Sequence, residues 1–95
     1  MFENISVEEL KKLNNINIID IRSIEKYNNG HIVNSKNITA ENLIIKPEKY
    51  LNKSEKYYIY CQKGIQSRKV CQVLIKNGYN VVNVLGGYEA WILSE

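Results

Sequence analysis

The chain of 95 residues is poor in the residues that metal centres and disulfide scaffolds require, with one histidine and two cysteines. A structural zinc site draws on about four nitrogen and sulfur ligands, so no metal is expected here. The cysteines, Cys61 and Cys71, lie one at the end of an apolar run and the other inside the next amphipathic segment. Bridging them would strain that region, and free thiols are expected instead. Charge of one sign is also scarce, since thirteen basic and ten acidic residues leave a net +3. They are scattered, so the chain lacks the like-charged block of a nucleic-acid arm, and no nucleic-acid partner is expected. No apolar run approaches the roughly 20 residues that span a bilayer. The N-terminal stretch also lacks the basic and apolar regions of a secretory signal. A cytoplasmic protein with no membrane partner is the expectation.

What is present suits one folded domain over residues 1–95. Hydrophobic residues make up 44% and charged residues 24%, ordinary proportions for a globular chain. A chain of this length buries roughly 60 to 70% of the surface its unfolded form exposes, enough for a core without staples. Thirteen asparagines and fourteen isoleucines are spread over every kind of segment, which reads as genome-wide compositional bias.

The punctuation along the chain alternates helix and strand signals. In "ISVEELKKL" Ser6 and Glu9 form a capping box before Val7, Leu10 and Leu13 at helical spacing. "NNINIIDIR" predicts a strand ending near Asp20 or Ile21, and "SIEKYNNG" one or two helical turns closed by Gly30. A short strand is expected to end at Ile38, and "TAENLIIKPEKYL" gives helical turns broken at Pro47. "KYYIYC" is the clearest strand. "SRKVCQVLIKNG" is a helix with Val70, Cys71, Leu74 and Ile75 on one side and Gly78 as its stop. "YNVVNV", the Gly86-Gly87 turn and a short terminal helix complete the chain, with Tyr88 and Trp91 expected to pack that helix onto the sheet. Alternating strands and helices need crossover connections, and so an α/β fold with a mostly parallel sheet flanked by helices. Ligands bind outside the carboxyl ends of such strands.

Cys61 stands at one of those ends. A thiol attacks only as its thiolate, so a nucleophilic role requires surroundings that stabilise an anion. The following loop supplies candidates. Gln62, Lys63, Gly64, Ile65, Gln66, Ser67 and Arg68 lead into a helix, whose N–H groups and positive end can face the sulfur. Gly64 permits a backbone turn barred to other residues. Ser67 can cap the helix or donate from its hydroxyl, and Lys63 and Arg68 add positive potential that suits a small anionic substrate. The bland reading is that Cys61 is a small buried hydrophobe ending a strand, as free cysteines often are. From these residues alone both readings stand, whereas Cys71, on the apolar side of a helix, reads as core.

Three ordered segments resemble the rhodanese-like family. "IIDIRSIEKYNNGHI" is similar to its Asp-x-Arg, Glu, Tyr, Gly-His-Ile segment, "YIYCQKGIQSRKV" to its active-site loop and helix, and "NVVNVLGGYEAW" to its closing strand, Gly-Gly turn and tryptophan. The resemblance covers nearly the whole chain. It departs after Ile32, where Val33-Asn34-Ser35 stand in place of the usual Pro-Gly-Ala. The resemblance implies a three-layer fold with about five strands. It also implies a persulfide on Cys61 and sulfane-sulfur transfer from a donor such as thiosulfate to a thiol, cyanide or protein acceptor. No metal or organic cofactor is implied.

Two rival readings use the same loop. Cysteine phosphatases and arsenate reductases place an arginine six positions after the cysteine, where its fork matches a tetrahedral dianion. Here that position is Ser67, and Arg68 follows one step late. A docking module of this fold, or a sulfur carrier for a partner enzyme, is the other rival, and family members that only dock generally lack the cysteine. Asp20, Arg22, Glu25 and His31 are read as structural support for the pocket, the first three as a local charge network and His31 as a hydrogen-bonded loop residue.

Overall fold

The computed structural model describes residues 3–95, which form eleven elements. Strands are β1 (Glu3–Ile5), β2 (Asn17–Asp20), β3 (Ser35–Asn37), β4 (Lys56–Tyr60) and β5 (Asn80–Val84). Helices are α1 (Val7–Leu10), α2 (Ile24–Asn28), α3 (Ala40–Ile45), α4 (Pro47–Tyr50), α5 (Ile65–Lys76) and α6 (Gly87–Leu93). All strand pairs are parallel, in the order β1-β5-β4-β2-β3. The expected α/β architecture, a parallel five-stranded sheet between helical layers, is the one observed.

Side-chain alternation along the strands divides the core between two faces. Tyr57, Ile59 and Cys61 join Ile19, Leu43, Val70, Cys71, Leu74 and Val81 beneath α3 and α5. Tyr58 and Tyr60 join Val7, Leu10, Ile18, Ile32, Val82 and Val84 on the other face, with Tyr88 and Trp91 of α6 packed against them. Parallel strands covered on both faces carry near-continuous apolar runs, which is why "YYIY" and "VVNV" signal them so clearly.

Several local signals are realised as read. The Ser6 hydroxyl accepts from the Glu9 amide at 3.1 Å and the Glu9 carboxylate accepts from the Ser6 amide at 3.4 Å. Pro47 ends one helical segment and opens the next at its first turn, where its missing N–H costs nothing. Other details differ. Strand β1 precedes the capping box and carries no pattern of its own in three residues. Its place is set by register against β5, with Glu3 opposite Val82 and Ile5 opposite Val84. Helix α1 stops at Leu10, so Leu13 lies beyond it and is exposed. Helix α5 begins earlier than expected, and its N-cap is Gly64, at φ 90°, not Ser67. Among the described residues no helix is long and apolar enough to cross a membrane.

Candidate active site

Cys61 follows β4, the central strand, and its side chain is 3% exposed. The chain then turns so that two backbone amides converge on the sulfur, from Gly64 at 3.1 Å and from Ser67 at 3.2 Å. Ser67 lies in the first turn of α5, fully buried. Its hydroxyl accepts from the Cys61 thiol at 3.3 Å and donates to Oδ1 of Asn83 at 2.5 Å. The two amides are donors with no need of a charged side chain, and donors aimed at sulfur favour its anion over its thiol.

The loop is held from behind by the Gly-Gly turn. The amide of Tyr88 donates to the Cys61 carbonyl at 2.9 Å and that of Glu89 to the Gln62 carbonyl at 3.1 Å. Gly87 has φ 58°, and a Cβ there would collide with the Cys61 and Gln62 carbonyls. A Cβ on Gly64 would meet the Gly86 amide nitrogen at 2.8 Å. Backbone therefore packs against backbone, and the two glycine positions interlock.

A second polar cluster frames the loop. Asp20 and Arg22 form a buried ion pair at 2.7 Å. Arg22 also donates to the Gly30 carbonyl at 2.7 Å and to Oε1 of Gln62 at 3.0 Å, which ties the β2–α2 connection to the cysteine loop. The Tyr60 hydroxyl donates to Asp20 at 2.6 Å and accepts from the Ile32 amide at 3.0 Å. Burial works against the Arg22 cation, but the hydrogen bonds and charge of Asp20 outweigh it and hold its pKa above the ordinary value. Burial, reinforced by the bond to Asp20, pushes the Tyr60 phenol well up, so it stays a donor. The Tyr88 ring lies 4.3 Å from the Arg22 guanidinium carbon and covers it.

Above the sulfur opens a basin of about 920 Å³ lined by Cys61, Gln62, Lys63, Ile65, Gln66 and Lys69, and across from them by Ile21, Arg22, Ser23, Lys26, Thr39, Ala40 and Glu41. Its lysines are exposed, and among the described residues none is in a salt bridge.

The expected site residues thus fall into distinct places. Gly64 and Ser67 face the sulfur, while Gln62, Lys63, Ile65 and Gln66 line the basin. Arg68 is exposed and lies outside that lining. The cation one helical step later, Lys69, lines it in its stead, together with Lys26. Asp20 and Arg22 form the anticipated network, but Glu25 is exposed in the first turn of α2 and joins no part of it. Nδ1 of His31 donates to the Tyr27 carbonyl, 2.8 Å away, and the ring stacks on that of Tyr27 at 3.8 Å. It does not line the basin. Three residues were missed in the sequence. Lys69 was within reach, since positions 65, 66 and 69 share one face of α5. Asn83 had a weaker signal, a polar residue in a valine-rich strand. Lys26 had none.

The sequence profile of the rhodanese-like domain matches residues 6–94. The chain belongs to the rhodanese-like domain family. The thiosulfate sulfurtransferase GlpE of Coxiella burnetii is 34% identical over 84 residues, covering 87% of this chain and 78% of that one. The GlpE of Shewanella oneidensis is 31% identical over 97 residues, covering 95% and 92%. A rhodanese-like domain protein from Staphylococcus aureus superposes with a TM-score of 0.87 at 37% identity, covering 95% of this chain and 91% of that structure. These relatives support a rhodanese-type enzyme of the sulfurtransferase class.

Proposed function

We propose that this rhodanese-like protein moves a sulfane sulfur from a small anionic donor such as thiosulfate to a thiol, cyanide or protein acceptor through a persulfide on Cys61. The Cys61 thiolate attacks the outer sulfur of thiosulfate. A bond forms between the two sulfurs, the sulfur–sulfur bond of the donor breaks, and sulfite leaves with its electron pair. An acceptor thiolate or cyanide then attacks the outer sulfur of the persulfide, takes it as a new persulfide or as thiocyanate, and returns Cys61 as thiolate. Electrons balance within the two displacements, so no outside oxidant or reductant is needed.

The observation that carries this reading is the cradle, in which the amides of Gly64 and Ser67 meet the sulfur at the floor of a lysine-rimmed basin. The basin's three lysines, Lys26, Lys63 and Lys69, suit an anionic donor, and its volume exceeds the needs of thiosulfate and leaves room for an acceptor. Phosphatase chemistry is less well served. The position that would hold a phosphate-binding arginine is Ser67, turned inward and bonded to Asn83.

Intact-protein mass spectrometry after incubation with thiosulfate tests the reading. A gain of one sulfur atom with release of sulfite, reversed by cyanide, is expected. No gain with any sulfane donor, or robust turnover of an aryl phosphate, overturns it.

A further inference from the structure

The Ser67 hydroxyl poses a problem that the two backbone amides do not. In the thiol state a single line of donors runs away from the sulfur. The thiol donates to Ser67 Oγ at 3.3 Å, Oγ to Asn83 Oδ1 at 2.5 Å, and Asn83 Nδ2 to Asn4 Oδ1 at 3.2 Å. When the thiol proton leaves through the basin to water, that line points the wrong way. Beyond the two amides a thiolate has room for a third donor, yet the one hydroxyl proton within reach is held by Oδ1. If the hydroxyl merely rotated toward sulfur, a carbonyl oxygen would be left facing oxygen lone pairs inside the sheet, where an unpaired polar atom costs about 1–3 kcal/mol.

Asparagine can resolve this, because its amide presents oxygen and nitrogen in nearly the same shape. A half turn of the Asn83 amide puts Nδ2 toward Ser67 Oγ, so that the hydroxyl accepts from Asn83 and donates to sulfur. Oδ1 then faces Asn4, which turns in the same sense. Asn4 is exposed on β1, at the edge of the sheet, so its reorientation takes place against water. Asn83 is 1% exposed, stands directly opposite Asn4 in the β1–β5 register, and projects to the Cys61 side of the sheet between Val82 and Val84, which face the other side. We propose that Asn83 is a positioning residue for Cys61, whose amide turns over so that Ser67 accepts from the thiol and donates to the thiolate.

The proposal concerns ionisation of Cys61 and not the identity of the sulfur donor, so it is tested without any sulfur compound. The readout is the pH midpoint of Cys61 alkylation by iodoacetamide, with peptide mapping to exclude Cys71. Removing the third donor with Ser67→Ala is expected to raise the midpoint by about one unit, a tenfold smaller ionisation constant. Asn83→Ala, which takes away the group that supports the donating hydroxyl, is expected to raise it by roughly half as much. The double variant is expected to match Ser67→Ala alone, since Asn83 acts through Ser67.

A fixed amide predicts the opposite signs. If Oδ1 always holds the hydroxyl proton, Asn83→Ala frees that proton for the thiolate and lowers the midpoint, and Ser67→Ala removes only an acceptor of the thiol and lowers it too. A lowered or unchanged midpoint in either variant overturns the proposal. The ionisable groups that face Cys61 are Arg22, Lys26, Glu41, Lys63 and Lys69 around the basin and Cys71 in the core. None is altered in these variants, and thermal unfolding of each checks that the fold persists. Should Asn83→Ala not fold, a lowered or unchanged midpoint in Ser67→Ala still overturns the proposal. Persulfide formation that fails while the midpoints shift as stated would count against the sulfur donor and not against the relay.

Discussion

Cys61 and Cys71 are almost equally hidden, at 3% and 0% exposure, and both belong to the same face of the core. Their surroundings are nevertheless opposite. Cys61 ends a strand where the chain has turned its amides inward, and two N–H groups and a hydroxyl meet its sulfur. Cys71 sits mid-helix among apolar side chains, and burial, with a smaller contribution from the nearby Cys61, pushes its thiol up to about 12. Burial alone, then, does not decide whether a cysteine reacts. The donors that burial brings with it do.

The largest expected effect breaks the comparison at its reacting atom. Cys61→Ser should abolish sulfur uptake from thiosulfate as read by intact mass, while Cys71→Ser should retain it. Label on Cys71 would remove the distinction between the two sites.

The next strikes the scaffold that makes Cys61 different. Gly87→Ala places a Cβ against the Cys61 and Gln62 carbonyls at φ 58°. Backbone strain of this kind costs about 1–3 kcal/mol, and the loop must move as well. Neutral-pH alkylation of Cys61 should slow by at least about tenfold as its thiolate loses well-aimed donors, with a lower melting temperature and no gain in Cys71 labelling. Alkylation at the wild-type rate would mean the cradle does not depend on the turn.

A smaller change separates the rim from the cradle. Neutralising Lys26, Lys63 or Lys69 one at a time should raise KM for thiosulfate by about two- to threefold with little change in kcat, and added salt should mimic it. Arg68→Ala should leave KM unchanged, because Arg68 does not line the basin. Equal effects from Arg68 and Lys69 would argue for a diffuse field and not a local rim.

The smallest effect belongs to Cys71. Between 9.0, its ordinary value, and about 12, the folded protein keeps a proton on Cys71 that the unfolded chain has lost. The folded state then binds more protons than the unfolded state, so this residue's contribution to stability declines as pH rises through that window. Cys71→Ala should be less stable at neutral pH but lose less stability than wild type between those limits, as measured by denaturant titration at each pH. Parallel losses in both proteins would show that Cys71 ionises freely when folded.

What the sequence by itself determined is what adjacent residues settle among themselves. Ser6 and Glu9 close their capping box within one turn, the apolar runs of β4 and β5 follow from strands buried on both faces, and Gly64 supplies the left-handed turn after Cys61. The cysteine loop is local in the same sense, which is why its resemblance to a family was plain. What only the tertiary structure decided joins distant parts of the chain. Strand β1 exists because Val82 and Val84 offer it a register. Lys26 reaches the basin from α2, while Arg68, adjacent to the loop, does not line it. Glu25 reads in the sequence as a partner of Asp20 and Arg22, yet Arg22 spends its remaining donors on Gly30 and Gln62. Asn83 meets Ser67 only because β5 lies beside β4 and under α5. The direction of a helical side chain depends on where the helix begins and how it is rotated on the sheet. Both are set by packing the whole core at once, and no short window of residues contains that information.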